Sequence, residues 1–252
     1  MERMYHKNGY SSPGGTGSAG QCEVELRGEA LVLLPERAVW WPSRRTLLVA
    51  DVHLGKSAAF RAHGLAVPEG HDRDDLARLR ELVIRLGSQE LIILGDLLHA
   101  PAGNTAALRV QVAHWCEGLD AQVTVVAGNH DRGLAHWAAE AGLDFARGPL
   151  SLEPFCLRHE PPELADGPEV PGAGLALCGH LHPMVRMSIA GARHRAPCFW
   201  LTARFLMLPA FGSFTGGARV FPRAGDALYA IDQGSVFAVP PAICGVRRAG
   251  RQ

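Results

Sequence analysis

The chain has almost no lysine, no net charge and no long apolar run. Among its 252 residues only Lys7 and Lys56 are lysines, and 25 basic side chains balance 25 acidic ones. Without a global charge excess, any contact with nucleic acid has to come from a local patch. The preference for arginine suits phosphate recognition, although beside the abundant Ala and Gly it reads more simply as compositional bias. No stretch approaches the ~20 apolar residues of a membrane span. The first twenty residues, with Ser11-Ser12-Pro13-Gly14-Gly15, lack the apolar segment of a secretion signal. Residues 1–22 are expected to be a disordered leader and 23–252 a single domain. The six cysteines, at 22, 116, 156, 178, 198 and 244, form no C-x-x-C pair and no regular spacing. That argues against a zinc knuckle or a disulfide framework and makes a reducing cytoplasm the expected location.

Against this background the apolar content, 47%, is ample for a core. Thr46–Ala50, Leu91–Leu94 and Val123–Ala127 are short runs that read as strands buried on both faces. Between the first two, Leu76, Leu79, Leu82, Val83 and Leu86 recur at helical spacing opposite Arg73, Asp74, Arg78 and Glu81, which predicts an amphipathic helix over Asp72–Leu86. Thr105–Trp115 and Leu134–Ala141 are expected as further helices, the second stopped by Gly142. Alternating strands and helices imply a parallel sheet with crossover connections. Beyond Gly148 short strands dominate, around Leu150–Arg158, Leu175–Cys178, Met184–Ile189, Phe205–Leu208, Ala227–Ile231 and Val236–Val239. The second half is therefore expected to form a more antiparallel sheet packed on the first.

Five polar clusters end apolar runs: Asp51-Val52-His53, Gly95-Asp96, Gly128-Asn129-His130-Asp131, His159, and Gly179-His180-Leu181-His182. Asp, Asn and His are the oxygen and nitrogen donors of divalent transition metals. Sites in parallel sheets form beyond the carboxyl ends of strands, where three of the clusters fall. Asp51 and His53, and likewise His180 and His182, are two residues apart, so both members of a pair can face one side. Gly95 allows the chain to turn sharply and expose the Asp96 carboxylate, which has two oxygens and can bridge two cations. His130 need not bind metal and could protonate a leaving alkoxide. Two ions ~4 Å apart are usual machinery for hydroxide attack on a phosphate ester. Taken singly, Asp96 could be a helix cap, His159 a core histidine, and His99 a partner that orients a ligand.

The order D-x-H, G-D, G-N-H-D, solitary His, G-H-x-H resembles the calcineurin-like metallophosphoesterases over roughly residues 50–183. The resemblance implies a four-layer α/β/β/α sandwich of two mixed sheets flanked by helices. It implies Asp51, His53 and His182 as ligands of one metal, and Asn129, His159 and His180 as ligands of the other. Asp96 resembles the bridging carboxylate, His130 the general acid, and Asp131 the acidic neighbour that orients it. One common variant carries G-D-x-x-D, where this chain has His99 in Gly95-Asp96-Leu97-Leu98-His99.

The flanks, Leu54-Gly55-Lys56-Ser57-Ala58-Ala59-Phe60-Arg61 and Leu208-Pro209-Ala210-Phe211-Gly212-Ser213-Phe214-Thr215-Gly216-Gly217, are similar to the DNA-ligase-associated branch. That branch implies a bacterial cytoplasmic protein that processes DNA, with an ATP-dependent ligase and a helicase as partners.

Lys56 and Arg61 could hold a phosphate or be a solvated pair. The Gly212–Gly217 loop could offer backbone N–H groups to phosphate or be a turn, and Trp40 and Trp41 could stack on bases or pack in the core. The expected function is phosphodiester hydrolysis with two divalent ions, manganese favoured over iron or zinc for a mixed O/N shell. DNA is the expected substrate. Zero net charge leaves a small nucleotide diester as the rival, and a non-catalytic repair scaffold as the third reading.

Overall fold

The computed structural model describes residues 20–162, 174–189 and 192–244. Most of the expected leader lies outside them, but Cys22, assigned to it, already opens the first strand. The first sheet runs in chain order: β1 (Cys22–Leu26), β2 (Glu29–Leu34), β3 (Ala38–Trp41), β4 (Thr46–Val49), β5 (Glu90–Ile93), β6 (Gln122–Val126) and β7 (Leu143–Ala146). β1 to β4 form an antiparallel meander, and β4 to β7 are parallel. The meander goes beyond the sequence expectation. Its signal is the alternation of Cys22-Glu23-Val24-Glu25-Leu26, where only Val24 and Leu26 are buried.

α1 (Lys56–Ala62) and α2 (His71–Leu86) connect β4 to β5, and α3 (Ala106–Glu117) connects β5 to β6. α2 falls where the apolar spacing places it and ends at Gly87, whose φ of 60° suits glycine. α3 starts behind Thr105, whose hydroxyl accepts from the Leu108 N–H at 3.1 Å. The helix expected over Leu134–Ala141 is instead two 3-10 turns, Asp131–His136 and Ala139–Ala141. The turns still bury Leu134, Trp137, Ala138 and Ala141 against the sheet, so the apolar spacing is satisfied without a continuous helix.

The second sheet comprises β8 (Leu150–Leu152), β9 (Phe155–Leu157), β10 (Leu175–Cys178), β11 (Pro183–Ile189), β12 (Ala192–Leu201), β13 (Phe205–Met207), β14 (Ala218–Arg219), β15 (Ala227–Asp232) and β16 (Ser235–Ala238). It is mixed but mainly antiparallel, as expected: β8–β9, β11–β12, β12–β13, β12–β15 and β15–β16 pair antiparallel, while β10 lies parallel to both β9 and β13, and β14 to β11.

The two sheets bury one shared interior, with Leu31, Leu48 and Ile92 from the first facing Leu177, Phe199 and Leu206 from the second. Trp41 belongs to it, edge-on to Phe155 with ring centroids 4.9 Å apart, and its indole N–H donates to Glu29 at 2.8 Å. Trp41 is therefore core rather than a base-stacking platform, and Trp40 packs partly buried on the helix side. α2 and α3 cover the outer face of the first sheet. Among the described residues α4 (Pro241–Cys244) covers the outer face of the second, over Val185, Met187 and Cys198. The layers are thus α/β/β/α, with a thin fourth layer.

Leu79, fully buried between α2 and the first sheet, should lose ~2–5 kcal/mol of stability as Leu79→Ala. Ile84→Ala, on the exposed face of the same helix, should change it little. The urea midpoints of the two variants test this.

Candidate metal centre

All seven expected ligands meet at one end of the sandwich, between the sheets. Asp51 and His53 follow β4, Asp96 follows β5, Asn129 follows β6, His159 follows β9, and His180 and His182 lie between β10 and β11. The loops after β4 and β5 continue side by side past the strand ends: Asp51 N–H donates to Gly95 O at 3.1 Å and His53 N–H to Asp96 O at 2.9 Å. The two-residue spacing does not act through strand geometry, as expected from sequence. Asp51, His53, Asp96, His180 and His182 all have φ between 48° and 78°. This left-handed conformation costs on the order of 1–3 kcal/mol at a non-glycine residue and concentrates at functional sites.

The side chains form two overlapping groups. His53 Nε2 lies 3.1 Å from His182 Nε2, which lies 3.4 Å from Asp51 Oδ1. His159 Nε2 lies 2.9 Å from Asn129 Oδ1 and 3.0 Å from His180 Nδ1. Asp96 Oδ2 stands between, 3.9 Å from His53 Nε2 and 3.5 Å from His159 Nε2. Asp51 also reaches both groups, its Oδ1 lying 3.8 Å from His159 Nδ1.

Tautomers follow from the backbone. His182 Nδ1 faces Gly216 O at 3.1 Å and His159 Nδ1 faces Leu94 O at 3.0 Å, so each Nδ1 carries the proton. Each Nε2 then points into the site. Burial, and next the neighbouring His182, push the His53 pKa down to about 2, leaving a neutral imidazole. Imidazole nitrogens aimed at one another around buried carboxylates suit divalent cations between them. The donor set therefore fits two such ions: Asp51, His53 and His182 would hold one, Asn129, His159 and His180 the other, with Asp96 in reach of both.

The motif glycines have a packing reason that their sequence positions do not reveal. A Cβ on Gly95 would strike the His159 ring, one on Gly128 the Asp96 carboxylate, and one on Gly179 would lie 2.5 Å from Asp51 Oδ2. Each cluster's glycine makes room for a ligand from another cluster. The carboxylates are also held by backbone: His130 N–H donates to Asp96 Oδ1 and His180 N–H to Asp51 Oδ2, both at 2.9 Å.

His130 stands at the rim, its side chain 40% exposed and its Nε2 3.9 Å from Asp96 Oδ2. It stacks on His99, with centroids 5.7 Å apart at 13°, and His99 Nδ1 lies 3.5 Å from His53 Nδ1. Asp131 is buried, and its carboxylate accepts from Leu98 N–H and Gly128 N–H, each at 3.0 Å. It ties together the loops that carry Asp96 and His130 rather than gripping the His130 ring.

Lys56 begins α1 half-buried, with Nζ 6.0 Å from the Phe60 centroid and 5.8 Å from that of Phe214. Arg61 is bonded to Glu69 at 3.2 Å and to Val67 O at 3.3 Å. Three N–H groups at the start of the Phe211–Gly217 loop turn inward: Phe211 N–H donates to Ala50 O, Gly212 N–H to Asp51 O, and Ser213 N–H to Asp75. These bonds brace the ligand loop after β4.

Residues 44–160 match the model of the calcineurin-like phosphoesterase family. Over 87% of this chain and 100% of its own, the crystal structure of Pseudomonas putida nuclease MPE is similar, with 37% identity and a TM-score of 0.71. The chain belongs to the calcineurin-like phosphoesterases, metal-dependent phosphoester hydrolases. A protein of unknown function from Aquifex aeolicus, AQ665, matches 54% of the chain and 78% of its own at 16% identity and a TM-score of 0.39. Comparison with curated proteins gives no match.

Gly179→Ala should displace Asp51 and weaken metal binding more than it weakens the fold. Metal content after gel filtration, set against the melting temperature of the metal-free protein, checks this; full metal content would refute the packing argument.

Proposed function

We propose that this chain is a dinuclear phosphodiesterase that cleaves DNA, with residues 23–252 as one catalytic domain. The observation that carries the reading is the pair of overlapping donor groups with His130 at their rim. The likeness to a nuclease along that protein's whole length supports a nucleic-acid substrate. When bound, two divalent ions supply Lewis acidity to the phosphoryl oxygens and hydroxide at neutral pH. We favour manganese because the donor set mixes carboxylate and amide oxygens with imidazole nitrogens.

The chain's own residues do the rest. Asp51, His53 and His182 would hold one ion and Asn129, His159 and His180 the other, with Asp96 within reach of both. His130 Nε2 donates a proton to the leaving oxygen. Asp131 keeps that imidazole in place through the backbone of Gly128, and His99 does so by stacking. Lys56, carried toward the site on α1, contacts a substrate phosphate; its charge already reaches His53 and His99. Action beside an ATP-dependent DNA ligase and a helicase, in bacterial cytoplasmic DNA repair, completes the proposal. Among the described residues no helix is long and apolar enough to cross a membrane.

Manganese-supplemented cleavage of defined DNA nicks and ends tests the reading. Asp96→Asn and His130→Ala should each lower turnover by about 100-fold or more. Undiminished turnover in both variants would remove the mechanism. Hydrolysis of nucleotide diesters without any cut in DNA would move the substrate to small molecules. Chelation should abolish activity, and manganese should restore it better than zinc or iron.

A further inference from the structure

We propose that the cleft beside the Asn129–His159–His180 group is a phosphate subsite. In it the guanidinium groups of Arg147 and Arg158 receive the phosphate that flanks the scissile one along a nucleic-acid strand. This rests on the phosphodiesterase reading above and adds to it a substrate contact and a direction.

Arg147 directly follows β7 and Arg158 directly follows β9, so the cleft lies where the two sheets converge. The cleft is open, holds about 360 Å3, and is shared by both arginines with Asn129 and His159. That volume falls in the range of small-ligand sites, ~300–1,000 Å3. The arginines are fixed to the ligands by backbone. Ala127 N–H donates to Ala146 O at 2.8 Å just before Asn129 and Arg147, and Arg158 N–H donates to Leu177 O at 3.1 Å.

The charges point to an anion. Two guanidinium groups face one carboxylate, Glu160, in the lining. Among the described residues neither Arg147 nor Arg158 makes a side-chain hydrogen bond or ion pair, whereas Arg37, Arg45, Arg61 and Arg78 are each bonded to a carbonyl. Arg158 Nε is buried without an acceptor. A donor withdrawn from water needs a partner, and a phosphate offers the planar fork of arginine two oxygens at once.

The cleft also has a side. His53, His99 and His130 form one ring cluster, with His53 and His130 centroids 5.5 Å apart, and none of the three lines it. On this proposal the flanking phosphate belongs to the strand segment on the Asn129 and His159 side of the metal positions.

The test uses the manganese-loaded full chain and two substrates. Bis(p-nitrophenyl) phosphate has no second phosphate, whereas hexathymidylate carries flanking phosphates. The readout is the ratio of kcat/KM for hexathymidylate to that for the small diester, in the wild type and in Arg147→Gln, Arg158→Gln and the double variant. The ratio should fall about tenfold per arginine, mainly through KM. The slope of log KM against log salt should drop by about 0.7 for each single-strand phosphate that is no longer neutralised. Arg147→Lys should recover part of the deficit, keeping the charge without the fork. An unchanged ratio and slope in the double variant, with wild type cutting both substrates, overturns the subsite alone. Wild-type hydrolysis of neither substrate overturns the phosphodiesterase reading and the subsite with it. If the double variant fails to fold, as its melting curve would reveal, Arg147→Gln alone decides.

Discussion

Two carboxylates packed out of water, at the seam between two sheets, are the constraint on which the rest of this molecule depends. Asp51 and Asp96 are almost fully buried, and the same imidazole, His159, lies within reach of both. Burial raises the pKa of Asp96, the expected response of a carboxylate deprived of solvent. Unbalanced negative charge in such a place costs several kcal/mol per ion. The surrounding donors are imidazoles and an amide, which can share a cation with the carboxylates. The seam between the sheets thus gathers donors that converge on cation positions.

The backbone is arranged to keep those carboxylates in place. Each is held by an N–H from another cluster, His180 for Asp51 and His130 for Asp96, and each is approached closely by a glycine from another cluster. Five ligands occupy left-handed conformations, a strain that the surrounding packing has to offset. α2 contributes from the side. Asp72 accepts from Gly55 N–H at 3.0 Å, and Asp75 binds Ser213 N–H at 2.9 Å. Thus the helix that fills the outer core also fixes the loop after β4 and the loop whose Gly216 carbonyl orients His182.

Around the metal positions the site is asymmetric. One flank is aromatic and imidazole-rich: His130 stacks on His99, His99 meets Phe60, and Phe60 meets Phe214, with Lys56 over both phenyl rings. The other flank is cationic, with Arg147 and Arg158 in an open cleft. A chain of zero net charge can therefore still offer local positive charge to a polyanion, because electrostatic recognition depends on where charges sit rather than on their sum.

Much of the chemistry is legible in the sequence because it lies in local order. The apolar runs that stop at Asp51, Gly95 and Gly128, and the helical spacing from Leu76 to Leu86, are properties of neighbouring residues. So is the succession of five Asp, Asn and His clusters. The β1–β3 meander, β12, and the 3-10 turns after Asp131 are not legible in the same way, because short elements take their form from the surface they pack on.

What only the tertiary structure decided involves residues distant in the chain. Arg61 pairs with Glu69, Lys56 lies near Phe60 and Phe214, Trp41 is core, and Asp131 serves backbone N–H groups. Gly95, Gly128 and Gly179 make room for ligands from other clusters, and Arg147 and Arg158 meet at the junction of two sheets. The sequence by itself determined which donors the protein has and in what order. Which atoms face one another was decided by packing, because a contact between two strands depends on register and layer, and neither is written in the spacing of either strand.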